Sequence, residues 1–174
     1  MKYFLMTGLL VCVLASTLYA GEGHAPIAVP PSAEFESVKK LVGTWEGTAT
    51  EKDGKVSPAR AEYKLTSGGS AVVEILFAGT PHEMHSIYFN ENGKLGMTHY
   101  CMLGNRPKLA LQKSAPGEIF LDLSPGSGID TAKEPHMHSL KLTFPDDNTL
   151  RQEWSYYENG QVAGLTTIEL KRAV

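Results

Sequence analysis

The chain has 174 residues, 42% hydrophobic and 20% charged, with a formal net charge of −3, six His and two Cys. The length is that of one domain rather than several. Without a basic run or surplus, the composition speaks against nucleic-acid binding.

Residues 1–20, MKYFLMTGLLVCVLASTLYA, carry one Lys, then an apolar core, then small residues. That is the layout of a secretory signal peptide cleaved near Ala20, and it predicts export to a periplasm or the extracellular space. The apolar core is short for a bilayer span, so no stable membrane span is expected after its removal. Cleavage would leave 154 residues and a charge of −4, because Lys2 departs. Cys12 departs too, leaving Cys101 without an internal disulfide partner. Residues 21–32, rich in Gly and Pro, read as a flexible lead-in, and the domain is expected over 33–174.

SAEFESVKKLVG predicts a short helix. Ser32 caps it, Glu34 and Glu36 suit its positive end, Phe35, Val38 and Val42 share a face, and Gly43 ends it. From Thr44 the period changes to two. Ala61, Tyr63 and Leu65 alternate with charged residues, as do Ile119, Leu121 and Leu123. Leu140, Leu142 and Phe144 alternate with polar residues, and Leu150, Trp154 and Tyr156 with Arg151, Glu153 and Ser155. Such alternation marks antiparallel strands with one face in water. Turn signals (KDGK, NENGK, GNRP, APGE, PDDN, ENGQ) separate about ten strands, starting near residues 44, 60, 70, 82, 94, 107, 117, 136, 149 and 161. The long gap at 124–135 has the length of a flap. Ten short strands in a meander hide their edges by closing. The expected fold is therefore all-β: a single antiparallel up-and-down β-barrel of about ten strands, preceded by a short helix.

The sequence GTWEGT after the helix, with Gly43, Trp45 and Gly47, resembles the opening strand of the calycins: lipocalins, fatty-acid-binding proteins and nitrobindin-like barrels. The resemblance implies that Trp45 packs at the closed end against an Arg of a late strand, here Arg172. It also implies a cavity for a small hydrophobic or amphipathic molecule. Nitrobindin-like proteins hold haem through a His on a late strand. The last strand here offers Thr166 and Thr167 instead, a departure from that pattern.

Strand counting places Trp45 and Arg172 at one end and the histidines at the other, the mouth. If residues 91–93 form a three-residue loop, Phe89 faces Leu95, Ile87 faces Met97, His85 faces His99 and Glu83 faces Cys101. The alternative, a two-residue Asn92-Gly93 turn, splits the apolar residues between faces, so the first register is preferred. His136 and His138 share parity with Leu140 and Leu142 and are expected inside. His82-Glu83-Met84-His85 is no zinc-protease motif: its histidines are too close in sequence, and on a strand they point apart. Glu83, His85, His99 and Cys101, with Asn105 and Arg106 on the rim, are candidate ligand contacts. Two His-x-(His/Cys) pairs, His99/Cys101 and His136/His138, are candidate metal ligands, since alternate strand residues project together. Three function classes follow: a binding module for a small, mostly apolar ligand; a transition-metal or haem protein; and a small hydrolase- or isomerase-type enzyme in which His99 activates Cys101 or a bound substrate. No motif names a substrate.

Overall fold

The computed structural model describes residues 30–173; the expected signal peptide and most of the expected lead-in fall outside the described residues. The element order is α1 (Ala33–Lys39), β1 (Gly43–Glu51), β2 (Val56–Thr66), a 3-10 turn (Ser67–Gly69), β3 (Ala71–Leu76), β4 (Met84–Glu91), β5 (Lys94–Tyr100), β6 (Lys108–Ala115), β7 (Glu118–Leu123), β8 (His136–Asp146), β9 (Thr149–Glu158) and β10 (Gln161–Arg172). Each strand pairs antiparallel with its neighbours in sequence, and β10 returns to β1, closing the barrel. Among the described residues no strand edge is left open.

Helix α1 closes the base. The Ser32 hydroxyl accepts from the Phe35 N–H at 3.2 Å, and Phe35 and Val38 enter the core. The expected third apolar contact is displaced by one residue. Leu41 is buried and Val42 is 41% exposed. The helix stops at Lys39, and the Lys40, Leu41 and Val42 amides bond three residues back instead, so the helical period no longer sets which side chain faces inward.

The Gly43-Trp45-Gly47 stretch has a physical reason at each position. Gly43 adopts φ +134, and a Cβ there would lie 2.9 Å from the Arg172 guanidinium. Trp45 is fully buried and donates its indole N–H to the Leu41 carbonyl at 2.7 Å. Arg172 lies 4.3 Å over the Trp45 ring and donates to the carbonyls of Lys40, Val42 and Asp147 at 2.8–2.9 Å. At Gly47 a Cβ would fall 1.9 Å from the Glu169 carbonyl oxygen, so only glycine lets β10 close against β1.

Two sequence expectations about facing are corrected. The β4–β5 hairpin turns on Asn92 (φ +52) and Gly93 (φ +80), the two-residue form. His85 therefore pairs with Tyr100, Ser86 with His99 and Tyr88 with Met97. His99 stays inside, while His85 joins the outer face with exposed Tyr100. The barrel tolerates the mixed inner face because its polar groups bond to one another. In β8 a register shift between Met137 and Ser139 makes His138 the extra residue of a bulge. Leu140 pairs with inward Trp154, Met137 with Tyr156 and His136 with Tyr157, so the bulge turns His136 to the outer side. Parity counted back from Leu140 fails at that point.

The inner face carries Trp45, Tyr63, Val72, Leu76, Tyr88, Leu95, Met97, Leu109, Ile119, Leu121, Leu140, Leu142, Leu150 and Trp154, each buried. Each large apolar side chain taken out of water contributes about 1.5–3 kcal/mol. Toward the mouth, Phe77, Met84, Leu111, Leu123 and Met137 are partly buried on top of this core.

Candidate functional site

A row of polar side chains crosses the inside of the wall. The register makes Tyr63 of β2 the partner of Glu74 on β3, Glu74 the partner of Ser86 on β4, and Ser86 the partner of His99 on β5. Directly paired strand residues sit within about 5.5 Å of one another and share a face. All four are buried, with Glu74 and Ser86 wholly excluded from solvent.

Glu74 is the acceptor at the centre. Tyr63 donates to one carboxylate oxygen at 2.8 Å and Tyr88 to the other at 2.9 Å. From the opposite wall the Gln152 amide donates to Glu74 and to the Tyr63 oxygen, and its own carbonyl accepts from the Trp154 indole at 2.9 Å. Burial pushes the Glu74 carboxyl up, and the hydrogen bonds from Tyr63, Gln152 and Tyr88 pull against that shift. Burial and the nearby carboxylate drive both tyrosine hydroxyls well above their ordinary range, so they remain donors.

His99 ends the row. Its Nδ1 lies 3.0 Å from the Ser86 hydroxyl, and its ring rests 4.8 Å from that of Trp154. Burial lowers its pKa to about 4, so the imidazole is neutral near pH 7. Its Nε2 is buried and has no hydrogen-bond partner among the described residues. A buried polar atom left unpaired costs about 1–3 kcal/mol.

The other sequence-nominated residues scatter. Glu83 and His85 bond each other at 3.2 Å on the exposed rim, with Glu83 also accepting from the Gly79 N–H. Cys101 is half-buried just beyond β5, and burial raises its thiol pKa, the opposite of an activated nucleophile. Asn105 is on the rim, where its amide donates to the Pro135 carbonyl at 2.8 Å and ties the 101–107 loop to the 124–135 loop. Arg106 is exposed beside it. His136 donates from Nδ1 to the Glu134 carbonyl, its Nε2 lies 2.9 Å from Nδ1 of His138, and His138 stacks on Tyr157 at 3.8 Å. The four nominated metal ligands thus divide between the inside of the barrel, the mouth turn and the outer wall. Among the described residues no group of three or more His, Cys, Asp or Glu is placed to hold a metal ion.

Tyr63, Glu74, Tyr88 and Gln152 escaped the sequence reading as site residues. Their signal was parity: Glu74 stands between Val72 and Leu76, and Gln152 between Leu150 and Trp154, each a polar residue at an inward position.

The mouth offers room. A cavity of about 540 Å³ is lined by Pro58, Phe77, Thr80, His82, Met84 and Met102, among others. Phe77 and Met84 also pack on the core and so separate this cavity from the interior. Phe77 is held at φ +54, a costly conformation for a bulky side chain. Val56, Tyr100, Met102, Leu103, Val162 and Leu165 are exposed at the same end.

No family model matches the chain, and no curated protein does. Among solved structures it is similar to a protein of unknown function of the DUF3598 family from Nostoc punctiforme. The TM-score is 0.54 at 13% identity, over 78% of this chain and 49% of that one. The chain spans about half the length of that protein. A redesigned β-barrel is similar more loosely, with a TM-score of 0.40 at 16% identity, over 79% of this chain and 95% of that one. The first likeness shows the fold alone: a closed antiparallel barrel that fits the calycin-like form coarsely.

Proposed function

We propose that the chain is an exported binding module that takes a small, mostly apolar molecule at the barrel mouth and anchors that molecule's polar group on His99. The observation that carries this reading is the buried, unpartnered Nε2 of His99. A barrel selected only for packing would gain by placing an apolar residue there, whereas a barrel that binds a ligand needs a polar group aimed inward. The mouth cavity is in the size range of ligand pockets and has Phe77, Met84 and Met102 in its lining. Methionines repack readily, so Met84 and Met137 suit a stopper that yields to a ligand. The pattern of residues 1–20 supports export.

Native mass spectrometry of the protein purified from its natural host tests this reading. A small molecule retained by the wild type and released by His99→Met supports it. A protein that carries no adduct, or an adduct held equally by the variant, contradicts it.

A further inference from the structure

We propose that the barrel's anchor selects a neutral hydroxyl, the O–H of an apolar alcohol or phenol, and rejects the carboxylate of a fatty acid. This rests on the reading of His99 as the ligand's anchor, and it names the class of molecule the anchor takes.

The interior already shows what a buried carboxylate requires. Glu74 draws on donors from three strands: the Tyr63 and Tyr88 hydroxyls and the Gln152 amide. A charge taken out of water is tolerated only with such compensation. His99 offers one nitrogen. Its ring is neutral near pH 7 and rests against Trp154, and its Nδ1 is engaged with the Ser86 hydroxyl at 3.0 Å. Among the described residues no Lys or Arg is buried to supply a cation. Arg172, on the inward register of β10, stands at the base with its donors engaged by three carbonyls. Toward the mouth, burial raises the Cys101 thiol and the Tyr156 hydroxyl, so both remain neutral. Glu74 is two strands from His99, about 10 Å away, and adds like charge whenever it is ionised. The mouth cavity does not change the preference, since Lys55 lines it together with Glu51.

A hydroxyl meets Nε2 without these costs. The Ser86 hydroxyl can accept from Nδ1–H or donate to bare Nδ1, so Nε2 is bare in one case and carries the proton in the other. A ligand O–H donates to the first and accepts from the second, and it brings no charge inside. An ether or ester oxygen only accepts, and so meets one tautomer of the two.

The test is isothermal titration of the protein, stripped of any co-purified molecule, with 1-decanol, 1-methoxynonane and decanoic acid. The three are similar in length and differ at the head. At pH 7.5 the alcohol is expected to bind tightest, the ether more weakly and the acid weakest. An ordinary carboxyl is neutral in about one molecule in a thousand at that pH. Entry of the neutral acid alone makes its affinity rise about tenfold for each pH unit down to pH 5.5, while that of the alcohol stays flat. His99→Met should weaken the alcohol at least about tenfold. His99→Gln, which keeps a neutral donor and acceptor, should retain the order. An acid that binds as tightly as the alcohol at pH 7.5, and is lost in His99→Met, overturns the selection and leaves the anchor in place. An ether equal to the alcohol overturns the hydroxyl assignment. Acid binding that His99→Met leaves unchanged places the head at the mouth instead, beside Lys55, and overturns the inference. Failure of all three to bind also overturns it, and the native mass spectra then decide separately whether the anchor reading falls with it.

Discussion

Replacing His99 by Met separates a residue kept for binding from one kept for folding. The volumes are close, and a thioether beside Trp154 keeps a favourable contact. The variant leaves the buried Ser86 hydroxyl without its His99 partner, a cost of about 1–3 kcal/mol. It also removes a buried nitrogen without a partner, whose burden is about 1–3 kcal/mol. The two quantities offset, so at pH 7 the variant is expected within about 1 kcal/mol of the wild type. Acid opens a gap. Between pH 6.5 and about 4 the unfolded chain holds a proton on His99 that the folded chain refuses, so wild-type stability falls as pH drops through that window. The full difference corresponds to roughly 3 kcal/mol, and the variant is spared it. Glu74 works in the opposite direction, because its folded carboxyl keeps its proton to higher pH, but it does so in both proteins. Urea unfolding at pH 7 and at pH 5 measures both effects. A variant more than about 1 kcal/mol less stable than wild type at pH 7, or one with an unchanged acid dependence, would refute this reasoning.

Gly47→Ala is expected to cost about 3 kcal/mol or more, read as a lowered urea midpoint, because its Cβ collides with the backbone of β10 rather than with a movable side chain. Arg172→Leu strips the donors from three backbone carbonyls at the base and is expected to cost on the order of 3 kcal/mol by the same measurement. Cys101 is expected to react slowly with a thiol reagent in the folded protein and fast in urea, since burial disfavours its thiolate. Binding of the retained molecule is expected to weaken at least tenfold in His99→Met, about 1.4 kcal/mol, measured by back-titration into the stripped protein.

The barrel was legible because its information is periodic. Strand starts read near 94, 136, 149 and 161 coincide with the observed ones, and counting strands brings Trp45 and Arg172 to one end, where the calycin resemblance implied their contact. The site was legible only in part, because it depends on register, and single residues reset register. The Asn92-Gly93 turn supports either hairpin form in the sequence, and apolar burial alone favours the three-residue one. The barrel takes the other form, in which Ser86 bonds Nδ1 of His99 and Glu74 draws on three donors. The bulge at His138 leaves no compositional mark, so parity carried His136 to the wrong side of the wall. Glu74 is not legible as a site residue, because a lone carboxylate in an apolar strand has the pattern of a solvated one. Only the donors brought from β2, β4 and β9 make its burial tolerable, and those lie 11 to 78 residues away in sequence.

The central claim is that a ligand's polar atom meets Nε2 of His99 inside the barrel. A high-resolution crystal structure of the protein purified from its natural host tests it most directly. The account expects density for a small organic molecule reaching from the mouth past Phe77 and Met84, with a polar atom within hydrogen-bond distance of Nε2. Density confined to the outer wall, or an interior closed over Nε2 with no molecule reaching it, would contradict it.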